Sequence, residues 1–295
     1  LLIRNTSLFL DMMLKYNPSL IITDFEPISN KIAKLVGIPL ICIDNINFIT
    51  KCEINEKFRD SALRQFTKHI LRFNGNYNFI TSVFDVPLKK KYKRNTYLVG
   101  PIMGNCFRDI KITEENFILV YQTTGSNDKL LSTLKQSDEK YIIYGFNKEY
   151  VDENLIFKKQ SRQGFVRDLS SCKAVITNAG FTLISEAVTL KKPIYSIPVK
   201  GLIEQEINGY YVSKSGYGIS SNEINGTDLM QFLNNLTNYK KNLLDRDYDN
   251  KKLFNLLDEK IEHLTKVYKK ASKLKVMLKI KEIYNAKIWE VKIAD

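Results

Sequence analysis

The stretch Ala174–Gly209, A-V-I-T-N-A-G-F-T-L-I-S-E-A-V-T-L-K-K-P-I-Y-S-I-P-V-K-G-L-I-E-Q-E-I-N-G, restricts the fold more than any other part of this chain. Ala174–Thr177 is the short apolar run that a strand buried in a parallel sheet requires. Asn178-Ala179-Gly180 is a small-residue turn, and Gly180 permits close backbone approach. Thr182–Leu190 reads as a helix stopped before Pro193, and Ile194–Ile197 as the next strand, closed by Pro198. A polar loop carrying Glu204 and Gln205 follows. A strand that turns directly into a helix aims unpaired N–H groups out of the sheet's carboxyl edge. Orphan donors and the helix dipole both favour an anion such as phosphate there. Thr182 and Glu186 are four apart and share a helix face. That spacing sets a hydroxyl near phosphates and a carboxylate one turn on, where ribose hydroxyls can donate to it. Glu204 and Gln205 stand where a sugar's hydroxyls could be read. The turn alone, with a single glycine, equally fits an ordinary βαβ unit with a solvated Glu186.

The same pattern recurs along the chain. Leu1–Tyr16 reads as a helix and Ser19–Thr23 as a buried strand with Asp24 at its carboxyl end. Pro27–Val36 is a helix closed by Gly37, and Pro39–Ile43 the next strand. Ile54–Phe73 reads as a long helix, Tyr77–Val83 and Tyr97–Val99 as strands, and Gly100–Glu115 as a linker. A second β/α series opens with the strand Phe117–Gln122 and the loop T-T-G-S-N-D. A helix over Asn127–Lys135 and strands at Tyr141–Tyr144 and Asn154–Phe157 follow. Asp228–Leu236 is expected to be a helix capped by Thr227. Leu257, Ile261, Leu264, Tyr268 and Ala271 form an apolar seam on a terminal helix. The expected fold is α/β: a Rossmann-like domain over residues 1–109, a second over 110–250, and C-terminal helices with a basic tail over 251–295.

Composition narrows the partners. A hydrophobic content of 44% supports a sizeable core, and 45 basic against 32 acidic residues give a formal charge of +13. That balance favours phosphates or an acidic surface. Lys89-Lys90-Lys91-Tyr92-Lys93-Arg94 is either a solvated loop or a headgroup-binding cluster. Residues 264–295 carry nine lysines and three acids with Trp289, as an interfacial helix or a packed tail would. No recognised nucleic-acid motif accompanies the charge, so no nucleic-acid partner is expected. The four cysteines are scattered and there are only two histidines, so no zinc site is expected. No signal-peptide pattern is present, and the apolar run of about 18 residues that a spanning helix needs is missing. A cytoplasmic protein, peripheral on the inner face of the membrane, is expected.

Asn178, Gly180, Phe181, Glu186, Lys192, Pro193, Pro198, Glu204 and Gln205 together resemble the donor-nucleotide motif of GT-B sugar transferases. Thr23–Ile28 (T-D-F-E-P-I), Gly37–Asp44, Val99–Ile102 and Val120–Thr124 (V-Y-Q-T-T) extend the likeness over most of the chain. They resemble a subgroup of archaeal and bacterial glycosyltransferases related to the enzyme that adds N-acetylglucosamine to the lipid-linked peptidoglycan precursor. The resemblance implies two Rossmann-like domains facing across a cleft, with a nucleotide sugar, UDP-linked, held mainly by the second. The implied acceptor is lipid-linked or part of the cell envelope, and no metal or other cofactor is expected. Gly180, Phe181 and Thr182 would form the diphosphate turn, Glu186 would hold the ribose, and Glu204 and Gln205 would contact the donor sugar. Phe165 and Val166 match a loop lying against the base; burial in the core is the alternative for Phe165. Thr123, Thr124, Gly125 and Ser126 would meet phosphate or acceptor, or else cap the next helix.

Inverting transfer needs a base for the acceptor hydroxyl, and the helix N-terminus at Thr182 can stabilise the leaving diphosphate without metal. Many such enzymes carry the base, a His or an Asp, in a Gly-rich loop after the first strand. The sequence starts after that loop, so the first domain is expected to be incomplete and the base to lie upstream of Leu1. Asp24 matches an Asp that orients the base in some relatives; a helix cap ahead of Pro27 is the alternative. Asn45 and Asn47 stand where the family usually has histidines. His69 and His263 fall inside helices and are expected on the surface or in packing. Asp245-Arg246-Asp247-Tyr248-Asp249 is expected to be solvated surface. A donor-binding subunit, an inactive fragment, or a GT-B-type sugar-nucleotide 2-epimerase are the other readings.

Overall fold

A computed structural model of the chain describes all residues except 1, 59–73, 108, 123–127, 247, 249, 269–277 and 279–295. In chain order the elements begin with α1 (Leu2–Tyr16), β1 (Ile21–Thr23), α2 (Pro27–Val36), β2 (Leu40–Asp44), α3 (Asn47–Lys51), β3 (Tyr77–Thr81) and β4 (Thr96–Val99). Then come β5 (Ile118–Tyr121), α4 (Asp128–Lys135), β6 (Tyr141–Tyr144), β7 (Tyr150–Asp152), β8 (Leu155–Phe157), α5 (Arg162–Ser171), β9 (Ala174–Thr177) and α6 (Phe181–Thr189). Last are β10 (Ile194–Ser196), α7 (Ile203–Lys214), β11 (Gly218–Ser220), α8 (Gly226–Asn234), α9 (Leu236–Leu244) and α10 (Asn250–Val267). They group into two compact units: Leu1–Thr81 with Val86–Val99 and Asp249–Asp295, and Ser82–Asp85 with Gly100–Tyr248.

The first unit is a parallel sheet in the order β1-β2-β3-β4. Strand alternation sends successive residues of β2 to opposite faces. Leu40 and Cys42 pack with Ile32, Ala33 and Val36 of α2 and with Leu10 and Met13 of α1. Ile41 packs instead with Phe79, Leu253 and Leu264, so α10 covers the other face. The helix α2 is bounded as its sequence demands: Pro27 in the first turn and Gly37, at φ 75, in the left-handed cap.

The second unit is a seven-stranded sheet in the order β11-β10-β9-β5-β6-β8-β7, parallel except for the edge strand β7, which is antiparallel to β8. The chain starts in the middle at β5, builds outward through β6 and β8, then returns to the other side of β5 with β9. The strand order therefore reverses between β5 and β9. In open α/β sheets that switch point, outside the carboxyl ends of the strands, is where a crevice opens for ligands. The core consists of Ile118, Val120, Tyr141, Ile143, Ala174 and Ile176 from the central strands, with Leu130, Leu134 and Phe232. The segment ahead of β5 is tied to this unit: Thr113 N donates to Ser170 O and Glu115 N to Ser171 O.

Several expectations need correction. The polar loop after β10 is mostly helix, because Ile203, Ile207 and Tyr211 recur every four residues and are buried. Gly209 lets that helix pack closely: a Cβ there would come 2.4 Å from Ser220 Oγ and 2.9 Å from Pro198 Cγ. Residues 162–171 form α5, with Ser161 as N-cap accepting from Gly164 N. The cap of α8 is Asn225, whose side chain accepts from Asp228 N at 2.8 Å, and not Thr227. Most of the helix expected over Ile54–Phe73, including His69, and most of the tail 264–295 lie outside the described residues. His263 does lie in a helix, α10.

Candidate donor site at the switch point of the second sheet

The β9–α6 turn is built to leave a helix end open. Ala179, not Gly180, takes the left-handed conformation, at φ 63. Gly180 is the N-cap of α6 at φ −65 and ψ 133, and no side chain caps the helix. A Cβ on Gly180 would meet nothing within 4 Å. The first N–H groups of α6 are thus exposed to whatever enters from the carboxyl edge. The turn is braced from behind. Asn178 Nδ2 donates to Gln122 Oε1 at 2.7 Å and to Ile197 O at 3.2 Å, and Asn208 Nδ2 donates to Ala179 O at 3.1 Å.

A cavity of 260 Å³ opens beside this turn. That is slightly below the range of about 300–1,000 Å³ usual for ligand pockets, a size for part of a nucleotide sugar. Phe165, Asn178, Gly180, Thr182, Glu186 and Gln205 all line it, so the structure brings together six of the sequence-derived residues. One wall is aromatic. The Phe165 ring meets Tyr121 edge-on at 5.6 Å and Tyr144 at 5.2 Å. The Tyr144 hydroxyl donates to Asp168 Oδ2 at 2.6 Å, and Lys158 Nζ donates to the same oxygen at 2.6 Å. Burial pushes the Tyr144 phenol well above its ordinary range.

The opposite wall carries the charge. Glu186 is buried in α6, and its Oε1 accepts from Arg162 Nη2 at 2.9 Å. Burial raises the Glu186 carboxyl above its usual value, and the Arg162 bond and charge oppose that rise. The Arg162 guanidinium in turn lies over the Phe107 ring, 5.2 Å from its centre. Gln205 Oε1 accepts from Val199 N at 2.9 Å, which leaves its amide nitrogen as the donor facing the cavity. Gln122 Nε2, at the end of β5, is buried without a hydrogen-bond partner among the described residues.

Other sequence-derived residues lie elsewhere. Val166 is core on α5, so the loop expected against a base is the first turns of a helix. Phe181 and Glu204 do not reach the cavity wall; Glu204 is half-buried, which raises its carboxyl pKa. Lys192 is buried and its Nζ donates to Thr113 O at 2.6 Å, a bond that serves packing. Thr123, Thr124, Gly125 and Ser126 lie outside the described residues. Asp24 belongs to the first unit, exposed on the wall of a separate cavity of 390 Å³. It does not cap α2. Glu26 does, accepting from Ile28 N at 2.9 Å and from Ser29 N at 2.5 Å. Sequence reasoning missed Arg162, Tyr121 and Tyr144. Ser161, one residue before R-Q-G-F-V and a cap type, was the available signal for the helix that carries Arg162.

A glycosyltransferase family model, described as "Glycosyl transferase family 1", matches residues 2–237. The chain belongs to this family. Its fold is GT-B, by similarity to solved members of that class. A structure of UGT89C1 from Arabidopsis thaliana complexed with UDP matches with a TM-score of 0.61 at 15% identity, over 88% of this chain and 77% of the other. UGT73P12 from Glycyrrhiza uralensis, complexed with glycyrrhetinic acid 3-O-monoglucuronide, matches with a TM-score of 0.60 at 14% identity, over 96% and 80%. The calicheamicin glycosyltransferase CalG4 matches with a TM-score of 0.57 at 11% identity, over 90% and 81%. No curated protein sequence matches. Among the described residues of this family member, no helix is long and apolar enough to cross a membrane, and no group of three or more His, Cys, Asp or Glu could hold a metal ion.

Proposed function

We propose that this family member takes a sugar from a UDP-linked donor held in the cavity of the second unit and transfers it to a lipid-linked or cell-envelope acceptor. One observation carries the reading. An uncapped helix N-terminus and a buried carboxylate one turn away share a wall of one cavity, at the switch point of the sheet. The N–H groups at the start of α6 and the Thr182 hydroxyl take the diphosphate and stabilise its charge as it leaves. Glu186 accepts from the ribose hydroxyls through Oε2, with Oε1 held by Arg162. Tyr121, Tyr144 and Phe165 offer faces and edges to the base. Gln205 Nε2 donates to the sugar, with Glu204 beside it. UDP as the nucleotide is supported by the complex of the Arabidopsis relative with UDP. Because the helix end supplies the positive field, the transfer is proposed to need no metal. The T-D-F-E-P and V-Y-Q-T motifs support kinship with the lipid-linked N-acetylglucosaminyltransferase. The basic Lys89–Arg94 segment supports action at the inner face of the membrane. Asp24, with Glu26 as the cap beside it, is proposed to orient the acceptor's base.

Isothermal titration of the chain with UDP-sugars, with and without EDTA, tests this reading; micromolar binding unaffected by EDTA is expected. Absence of binding to every UDP-sugar would overturn it. A second reading, donor binding without transfer, is favoured by Asp44 at the end of β2. It is buried, and its two carboxylate oxygens accept from Asn47 N and Nδ2, each at 2.7 Å, so this strand-end carboxyl serves the start of α3. Donor binding with neither transfer nor donor hydrolysis is its signature.

A further inference from the structure

A second cavity, of 490 Å³, lies wholly in the first unit. Asn76 and Tyr77 at the start of β3, Lys91 and Arg94 ahead of β4, and His263 and Tyr268 at the end of α10 line it. The strands are parallel, so this is their amino edge, opposite the carboxyl ends where Asp24 and Asp44 stand. It is neither the candidate donor site nor the usual ligand edge of such a sheet.

Several of its polar groups are donors; Asn95, also on the wall, donates Nδ2 to Asn76 O at 3.1 Å and carries an amide oxygen as well. Asn76 has spent both ends of its amide: Oδ1 accepts from Leu40 N at 2.8 Å and Nδ2 donates to Tyr268 Oη at 2.8 Å. Having accepted that bond, Tyr268 keeps its own proton to donate. Tyr77 Oη lies 3.1 Å from His263 Nδ1; with the hydroxyl donating, a neutral imidazole carries its proton on Nε2. Lys91 and Arg94 can only donate. Among the described residues, no carboxylate lines the cavity. The nearest acids on α10, Glu259 and Glu262, are engaged by Lys260 and Lys266. The end of α10 offers this cluster only the partial negative charges of its last carbonyls, against two full cations. A cavity with several donors, two cations and no acid on its wall asks for an acceptor-only anion.

We propose that this amino-edge cavity binds a phosphate group, with Lys91 and Arg94 supplying the charge and His263 and Tyr268 the hydrogen bonds. A planar guanidinium fork beside an ammonium suits a phosphate's several oxygens. The formal charge of +13 draws such anions toward the chain. A membrane phospholipid headgroup and a soluble phosphate ester present the same chemistry to it.

The test uses the intact chain and two probes: sn-glycerol 3-phosphate by isothermal titration, and phosphatidylglycerol–phosphatidylcholine vesicles by co-sedimentation. The variant Lys91→Gln/Arg94→Gln is compared with Lys31→Gln/Lys34→Gln, which removes the same charge from exposed positions of α2. Binding should weaken about tenfold or more in the cavity variant, as expected for lost charge-assisted bonds, and less than about twofold in the control. Binding of glycerol phosphate supports a soluble ester, and binding of vesicles alone supports a headgroup. If neither probe binds, or if control and cavity variants lose equally, the proposal falls. Should the double variant melt early, Tyr268→Phe removes one donor and keeps the ring; unchanged binding of both probes by that variant also counts against the cavity. Loss of UDP-sugar binding has no bearing on this outcome, since the two cavities lie in different units.

Discussion

The turns after β1 and β9 solve one problem in opposite ways. Each leads from the carboxyl end of a parallel strand into a helix, and each must deal with the orphan N–H groups at that helix's start. After β1 the chain satisfies them itself: Glu26 places its carboxylate on Ile28 N and Ser29 N, and Ser29 Oγ donates to Thr23 Oγ1 at 2.9 Å. After β9 it does not. Gly180 has no side chain to offer, the space around its missing Cβ is open, and the cavity begins there. The same βα geometry is self-neutralised in one unit and left without a side-chain cap in the other. A helix N-terminus alone is therefore no indication of a ligand site; the absence of a built-in anion is the discriminating feature.

The sharpest way to break this contrast is to give α6 the anion that α2 already has. Gly180→Asp should fold, because φ −65 and ψ 133 suit any residue and its Cβ meets no neighbour. An Asp cap is better than Gly by a few tenths of a kcal/mol, about 0.3, so the melting temperature should hold or rise. Two unit charges 4 Å apart repel by about 4 kcal/mol at an effective dielectric of 20. UDP binding, measured by titration calorimetry, should therefore fall by up to about a thousandfold. Unchanged binding would mean that the diphosphate does not sit at this helix end. Next in size is Glu186→Ala. Hydrogen bonds to a charged group contribute about 1.5–3 kcal/mol each, so loss of the ribose contact should weaken UDP binding roughly ten- to a hundredfold. Uracil-only affinity should change little, and an equal loss for uracil would point to a collapsed pocket.

How much of this could be seen beforehand follows the range of the interactions. The β9–α6–β10 stretch was legible because its signals are local: a short, mostly apolar run, a small-residue turn, then a proline past the helix end. The i, i+4 pairing of Thr182 with Glu186 placed both on one cavity wall, as that spacing requires. Residues 162–171 were not legible, since their apolar positions are interleaved with Arg162, Gln163, Arg167 and Asp168. Asp168 is buried only because Tyr144 and Lys158, from elsewhere in the fold, satisfy it. The Glu186 partner lies 24 residues away on another helix, and no spacing rule reaches it. The aromatic wall is drawn from β5, β6 and α5, and only the sheet order assembles it. Three-residue β11 exists through its pairing with β10 and carries a glycine that no strand propensity would favour.

Arg162 sharpens the comparison, because it supplies the open site with a second-hand counterion. Burial raises the Glu186 carboxyl, and Arg162 holds that rise in check. A group with a raised folded pKa binds protons more readily in the native state than in the unfolded chain. Its ionisation therefore costs stability as pH climbs from about 4.3, the unfolded value, through the folded value. Ribose recognition needs the ionised form, so UDP binding should decline as pH falls through that same folded value. Arg162→Ala removes the one opposing charge among the described residues. The acid limb of UDP binding should then shift to higher pH, with a few-fold loss near neutrality; Arg162→Lys should restore part of it. An unmoved acid limb would show that Arg162 does not set the state of Glu186.

The smallest effect belongs to the self-satisfied turn. Glu26→Ala removes both cap bonds from α2 and should cost about 1 kcal/mol of stability, within the usual range for a lost N-cap. Denaturant unfolding monitored on the first unit reads this directly. UDP binding should stay within about twofold of the unsubstituted chain, because the described residues that line the donor cavity all belong to the second unit. The combination with Gly180→Asp is the more demanding measurement. The two substitutions exchange the roles of the turns, leaving α2 open and α6 closed. If an open helix end were sufficient to hold a diphosphate, the first unit would now acquire UDP. It should not, because no buried carboxylate stands one turn along α2 to take the ribose: Ile32 occupies the position that corresponds to Glu186. In the proposed reading, the open end would supply charge complementarity for phosphate, and the Glu186 wall the discrimination that selects a nucleotide.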